Sequence, residues 1–221
     1  MAELLTIDDE EPLTLDTRSA GLTDEQFSRL CADNPELRLE LTAERRLVIM
    51  SPTGSKTGWR NHRLALRLGT WAERDDTGLA FDSSAGFTLP NGAKRSPDAS
   101  WILRERWESL SEEQQEDFAP LCPDFVVELR SPRDRLSTLQ AKLEEYIQNG
   151  AKLGWIVDPK SRCVFVYRRG RRWSASRTRR ASAERPSCPD SSSRSPKSGR
   201  TSSFFRRLTT TEGPKLSPRQ V

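Results

Sequence analysis

Two short stretches of alternating apolar and polar residues, Leu37-Arg38-Leu39-Glu40-Leu41 and Leu47-Val48-Ile49-Met50, flank the polar TAERR and predict a β-hairpin. Ahead of them, Gly21-Leu22-Thr23 opens a short helix. Thr23 and Gln26 have capping-box spacing, Phe27, Leu30 and Cys31 mark its apolar side, and Asn34-Pro35 stops it. Behind them, the loop SPTGSKTG leads into a longer helix over about 57–75, with Trp59, Leu64, Leu66, Leu68 and Trp71 at its apolar positions. Strands follow at Leu79-Ala80-Phe81, Gly86-Phe87-Thr88-Leu89 and Asp98 to Leu103, with Pro90-Asn91-Gly92 as a turn between the last two. A polar helical stretch spans 104–117.

Phe125-Val126-Val127-Glu128-Leu129 is nearly continuous and apolar, as expected of a central strand covered on both faces. A helix over about 135–148 comes next, with Leu136, Leu139, Leu143, Tyr146 and Ile147 on one stripe and Asn149-Gly150 at its end. Leu153 to Asp158 and Cys163 to Tyr167 make a last hairpin over Pro159-Lys160-Ser161. Residues 1–20 lack periodicity and read as a flexible arm, and after Gly170 the pattern fails again. The predicted fold class is therefore α/β, with one central mixed sheet flanked by helices over 21–170 and a disordered tail over 171–221.

Charge sharpens that division. The chain of 221 residues is 34% apolar and 31% charged, with a net charge of +4. Residues 171–221 hold 13 Lys/Arg, 3 Asp/Glu, 12 Ser and 5 Pro, so the body before them carries a net charge of −6. The basic isoelectric point near 9.0 belongs to the tail and does not argue that the body binds nucleic acid. No apolar run approaches the ~20 residues of a membrane span, and the acidic start lacks the pattern of a signal peptide, so a cytoplasmic protein is expected.

A single histidine, His62, and four cysteines without Cys-x-x-Cys spacing argue against the usual zinc sites and most catalytic triads. Carboxylates and lysine must then carry any chemistry. Asp98 opens a strand after Pro97, and Glu128 stands in the most apolar strand, where a carboxylate is costly unless paired or bound to a cation. Two such carboxylates suit Mg²⁺, which takes one or two of them plus waters. They equally suit solvated strand ends. Lys142 falls on the flank of the 135–148 helix, within side-chain reach of Glu128 if that helix returns along the sheet, and otherwise in water. Arg60, Arg63 and Arg67 recur at spacings of three and four, with His62 among them. Such a row either contacts backbone phosphates or forms a solvated helix face.

RSPDASW, CPDFVVELRSP and AKLEEYIQNGAKLGWIVDP, with LRLELTAERRLVIMSPTG before them, resemble the putative restriction endonuclease family (Uma-type) of the PD-(D/E)XK nuclease superfamily. The resemblance covers about residues 22–168 and implies a restriction-endonuclease-like nuclease domain over 21–170. It implies a metal-dependent DNA endonuclease with Asp98, Glu128 and Lys142 as catalytic residues. Asp98 and Glu128, with the Leu129 carbonyl and Glu40, would hold Mg²⁺ or Mn²⁺, and DNA would be the partner of a chain open to forming a homodimer. Asp124 is expected to cap the start of its strand. In the wider superfamily the lysine stands two residues after the acidic residue, where this chain has Arg130; in this family it has moved to the next helix, as Lys142. A catalytically inactive nucleic-acid-binding protein on the same scaffold is the alternative. A defective member is another, since the switch at Arg171 departs from the family's continuing β structure and favours an out-of-frame reading over a selected basic arm.

Overall fold

The computed structural model describes residues 12–50 and 52–177. Two sheets replace the expected single one. The first is antiparallel and built around the predicted hairpin, β2 (Arg38–Leu41) and β3 (Arg46–Met50). β3 also pairs with β1 (Leu13–Asp16), and β2 pairs with β6 (Lys94–Arg95), which continues to β5 (Phe87–Thr88). The separation has a packing cause. Leu39, Leu41 and Leu47 bury themselves with Phe27 of α1 (Asp24–Asp33), forming a core of their own. Helix α1 starts at the expected capping box, in which the Thr23 hydroxyl accepts from the Gln26 N–H and the Gln26 side chain accepts from the Thr23 N–H.

The second sheet runs, in spatial order, from β4 (Gly78–Asp82) and β7 (Ala99–Leu103) through β8 (Phe125–Leu129) to β9 (Leu153–Asp158), β10 (Cys163–Arg168) and β11 (Arg171–Arg177). Its one parallel pair, β8 with β9, is joined by helix α5 (Leu136–Gln148). All five residues of β8 are buried, as its continuous apolar run requires. Val126, Ile156 and Phe165 pack on the α5 side with Leu143 and Tyr146. Phe125, Val127, Trp155 and Val164 pack on the other side with Leu68 of α2 (Ser55–Asp75). Two of the apolar positions read on that helix, Trp59 and Leu66, are instead exposed.

Gly154 sets how closely α5 sits on the sheet. A Cβ there would lie 2.5 Å from Leu143 Cδ1, so with glycine the Leu143 side chain packs directly on the strand backbone. The polar stretch after β7 resolves into two short helices, α3 (Arg104–Glu108) and α4 (Glu112–Glu116).

Both limits of the predicted body shift. Leu13–Asp16, assigned to a flexible arm, forms β1 through pairing with β3, although its side chains stay exposed. The β pattern does not end at Arg171: β11 (Arg171–Arg177) pairs with β10, and Trp173 and Ala175 turn onto the core. Trp173 lies 5.7 Å from Phe165 between ring centroids. The Gly170 turn, at φ +71°, and the alternation of Trp173 and Ala175 with Ser174 and Ser176 are the local signal for that strand. The expected disorder of the arm before residue 12 and of the tail beyond residue 177 lies outside the described residues.

Candidate active site

Strand alternation sends Arg38, Glu40 and Glu128 toward one place, where Lys142 of α5 meets them. Leu39 and Leu41 face α1, so Arg38 and Glu40 face the opposite side of β2. On β8, Val126 packs toward α5 and Glu128 shares its side. Lys142 precedes Leu143 on α5 and reaches both carboxylates. Its Nζ lies 2.8 Å from Glu40 Oε1 and 2.9 Å from Glu128 Oε1. The contact to Glu40 is a hydrogen bond. The contact to Glu128 is an ion pair with poorer hydrogen-bond alignment, so Glu128 Oε1 is held by the ammonium's charge rather than by a well-directed bond.

The two glutamates differ in protonation because their neighbours differ. Burial works against ionising Glu40, but Lys142 and Arg95 outweigh it and hold the carboxyl at about 2. Arg95 Nη1 donates to Glu40 Oε2 at 3.1 Å and the Ser96 N–H donates to Oε1 at 3.1 Å, so both oxygens are taken. Glu128 is just as deeply buried. There desolvation, together with repulsion from Asp98 and Glu40, exceeds the pull of Lys142 and raises its pKa to about 7. Burial tends to discharge Lys142 as well, yet the two carboxylates reverse this and raise its pKa, so the ammonium stays charged.

Asp98 is held from three directions. Its Oδ2 accepts from the Leu129 N–H at 2.8 Å, one residue beyond Glu128. Its Oδ1 accepts from Asn61 Nδ2 at 3.3 Å and Arg38 Nη1 at 3.4 Å. Arg38 is fixed in turn by the Ser96 carbonyl, to which Nη2 donates at 2.5 Å. Asp98, Arg38, Asn61 and His62 line an open cleft of about 480 Å³ between the N-terminal part of α2 and the end of β3. Arg38, Arg95 and Asn61 carry no sequence motif, and only the alternation of Arg38 with Glu40 hints at a shared face.

The structure thus gathers Asp98, Glu128, Lys142 and Glu40. Among the described residues, no three or more His, Cys, Asp or Glu side chains form a ready metal cage. Asp98 and Glu128, whose Oε1 lacks a well-aligned hydrogen bond, fit a small hard cation that takes one or two carboxylates and completes its shell with water. Glu40 has its oxygens taken by Lys142, Arg95 and the Ser96 N–H, and in this arrangement it stands as a counter-ion of Lys142.

Arg130 stands apart from this centre. Its Nη1 donates to Asp158 Oδ2 at 2.9 Å and its Nε to the Asp134 carbonyl at 3.0 Å. Asp124 fastens the start of β8: its Oδ2 accepts from the Leu103 N–H at 3.0 Å, and Arg106 and Lys152 pair with it. His62 is exposed on the cleft wall, while Arg60, Arg63 and Arg67 occupy α2 outside the cleft lining.

A mixed sheet with a buried glutamate on β8, the first strand of its βαβ unit, and a lysine on the crossover helix α5 defines a restriction-endonuclease-like α/β protein. The family model described as Uma2, putative restriction endonuclease, matches residues 24–192, most of the chain, and the chain belongs to that family. The matched range runs past β11. The crystal structure of a putative nuclease belonging to DUF820 from Anabaena variabilis is similar with a TM-score of 0.55. The two are 21% identical over 63% of this chain and 76% of that one, a likeness that speaks for the fold. No curated protein matches the chain. Among the described residues, no helix is long and apolar enough to cross a membrane.

Proposed function

We propose that the protein is a metal-dependent DNA endonuclease that hydrolyses phosphodiester bonds by direct attack of water. The observation that carries this reading is Lys142 Nζ held between Glu128 and Glu40, beside an Asp98 anchored to the next backbone amide of the Glu128 strand. Asp98 and Glu128, with the Leu129 carbonyl, would hold Mg²⁺ or Mn²⁺. Such an ion, when bound, lowers the pKa of a water and offsets negative charge on the phosphate.

The chain's own groups do the rest. Lys142, kept charged, presents its ammonium to the charge that builds on the phosphate oxygens. Glu40 holds that ammonium in place when Glu128 turns to another cation. Asn61 and the Leu129 N–H orient Asp98, and Arg38 adds positive charge to the cleft wall where an anionic backbone arrives. DNA is the partner in this reading, in the cytoplasm. A homodimer would address both strands, and light scattering on the purified protein checks for one.

The test is nicking of supercoiled plasmid by purified protein with Mg²⁺, Mn²⁺ or EDTA, beside Lys142→Ala. Cutting that needs metal and Lys142 is the expected result. The second reading, a non-catalytic nucleic-acid-binding protein, draws on Arg130 occupying the superfamily's lysine place; DNA binding by folded protein without cutting would decide for it.

A further inference from the structure

We propose that Trp59 is a base-stacking platform, so that the substrate is DNA with an unpaired nucleotide beside the scissile phosphate, either single-stranded or locally opened. This rests on the nuclease reading and adds a substrate class to it.

Trp59 is 56% exposed, whereas the other five tryptophans of the chain are buried or half-buried. It stands one turn or less from residues that face the cleft. At about 100° per residue, Gly58, Asn61, His62 and Ala65 share the cleft-facing stripe of α2, while Trp59 and Leu66 lie roughly 90° further from the core, with His62 between. Arg63 comes next around the helix, and Arg60 and Arg67 follow. Moving outward from Asp98, a strand would therefore meet Asn61 and His62, then the indole, then a row of arginines. Arg63 also lies over the indole, with its guanidinium carbon 5.0 Å from the ring centroid, which leaves the second ring face for a base.

Charge selects the occupant. From Ser55 to Ala72, α2 carries Lys56, Arg60, Arg63 and Arg67 and no acidic residue. The chain before residue 171 is acidic overall, with a net charge of −6, so this helix is an exception. A second copy of the chain fits poorly here, because two-fold pairing of this face would set the arginine row against its own copy. A nucleic-acid backbone suits the row, and an aromatic interleaved with arginines is the arrangement that tracks single strands by stacking. In continuous duplex the base faces are covered by their neighbours. An indole on an outward helix face can stack only on a base that has left the stack.

The experiment is binding of full-length protein, in EDTA so that nothing is cut, to a labelled single strand, a duplex with a central unpaired bubble, and the matched duplex. Wild type is expected to prefer the first two. Trp59→Ala should lose roughly 5- to 100-fold on those two and little on the matched duplex, with Trp59→Phe keeping most of the affinity. Arg63→Ala should weaken all three alike. An equal melting temperature shows that Trp59→Ala is folded. Unchanged single-strand binding by Trp59→Ala overturns the proposal. So does loss of a dimer in that variant on size-exclusion chromatography, which would assign the face to a second copy. Plasmid nicking, scored separately, decides the nuclease reading: cutting with an indifferent Trp59 sinks only the platform.

Discussion

Lys142 Nζ and Glu40 Oε1 meet at 2.8 Å although 102 positions of chain separate them, and this contact ties the first sheet to the helix that covers the second. It also fixes the charge state of the centre, since a lysine this buried stays protonated only beside carboxylates. Lys142→Ala should reduce metal-dependent nicking by about 100-fold or more, the scale of losing a positioned cation at the reacting phosphate. The same variant leaves Glu128 and one oxygen of Glu40 without a cation and should cost about 3 kcal/mol in urea unfolding. Full activity in a well-folded Lys142→Ala would remove lysine from the chemistry.

Asp98 separates chemistry from folding more cleanly. Asp98→Asn keeps an oxygen for the Leu129 N–H but loses the charge and turns its amide N–H₂ toward the Asn61 and Arg38 donors, so it should cost about 1–3 kcal/mol in urea unfolding without preventing folding. Nicking should fall to background over the same metal range. A variant that unfolds instead would make the carboxylate a structural prop of β8.

Acid should unfold the metal-free protein partly through Glu40. Its carboxyl is held at about 2 in the folded chain, against 4.5 when free. Between those values the unfolded chain binds more protons, so stability rises with pH there, is complete above about 4.5, and is lost as pH falls through 2. At ~1.4 kcal/mol per unit the contribution is about 3 kcal/mol at most. Glu40→Gln should flatten the urea midpoint between pH 2.5 and 5; an unchanged slope would mean that other carboxylates carry the acid sensitivity.

Gly154→Ala tests the height of α5. The added methyl meets Leu143 Cδ1 and must displace that side chain or the helix that carries it, at a cost of roughly 1–3 kcal/mol. Because Lys142 is the neighbour of Leu143, nicking measured well below the melting temperature should fall further than the population of folded protein does. Activity that merely tracks that population would show that the helix height does not reach Lys142.

Arg130→Lys addresses the superfamily's usual lysine position. Arg130 spends its guanidinium on Asp158, whose side chain is 1% exposed. The variant should lose about 1–2 kcal/mol of stability through poorer geometry and leave the cleavage rate per folded molecule unchanged. A gain in rate would mean that this position joins the chemistry.

Local rules carried most of the elements. The Thr23–Gln26 cap, the apolar run of β8, the stripe of Leu139, Leu143 and Tyr146 and the hairpin between β9 and β10 are all contained in windows of a few residues. The reach of Lys142 to Glu128 was also legible, since strand rise and helix rise fix it once α5 returns along β8. Two sheets were not legible: β5 and β6 are two residues long and exist only through their partners. Nor were Arg95, Arg38 and Asn61, whose roles come from long-range contacts that no periodicity records. Leu13–Asp16 and Arg171–Arg177 failed for a related reason, because edge strands gain order from a neighbour and can stay polar on their outer side. Trp59 and Leu66 failed in reverse, as apolar positions that the fold leaves in water.

The span between Glu40 and Lys142 has a consequence during synthesis. Ribosomes deliver the N-terminal end first, at about 5–20 residues per second. The first hairpin and α1 can close on their own core while β8 and α5 are still to be made. Glu40 and Arg95 must then wait for their partners on α5. The centre is thus assembled among the last parts of the described body, and an incomplete chain holds carboxylates without the ammonium that makes them work together.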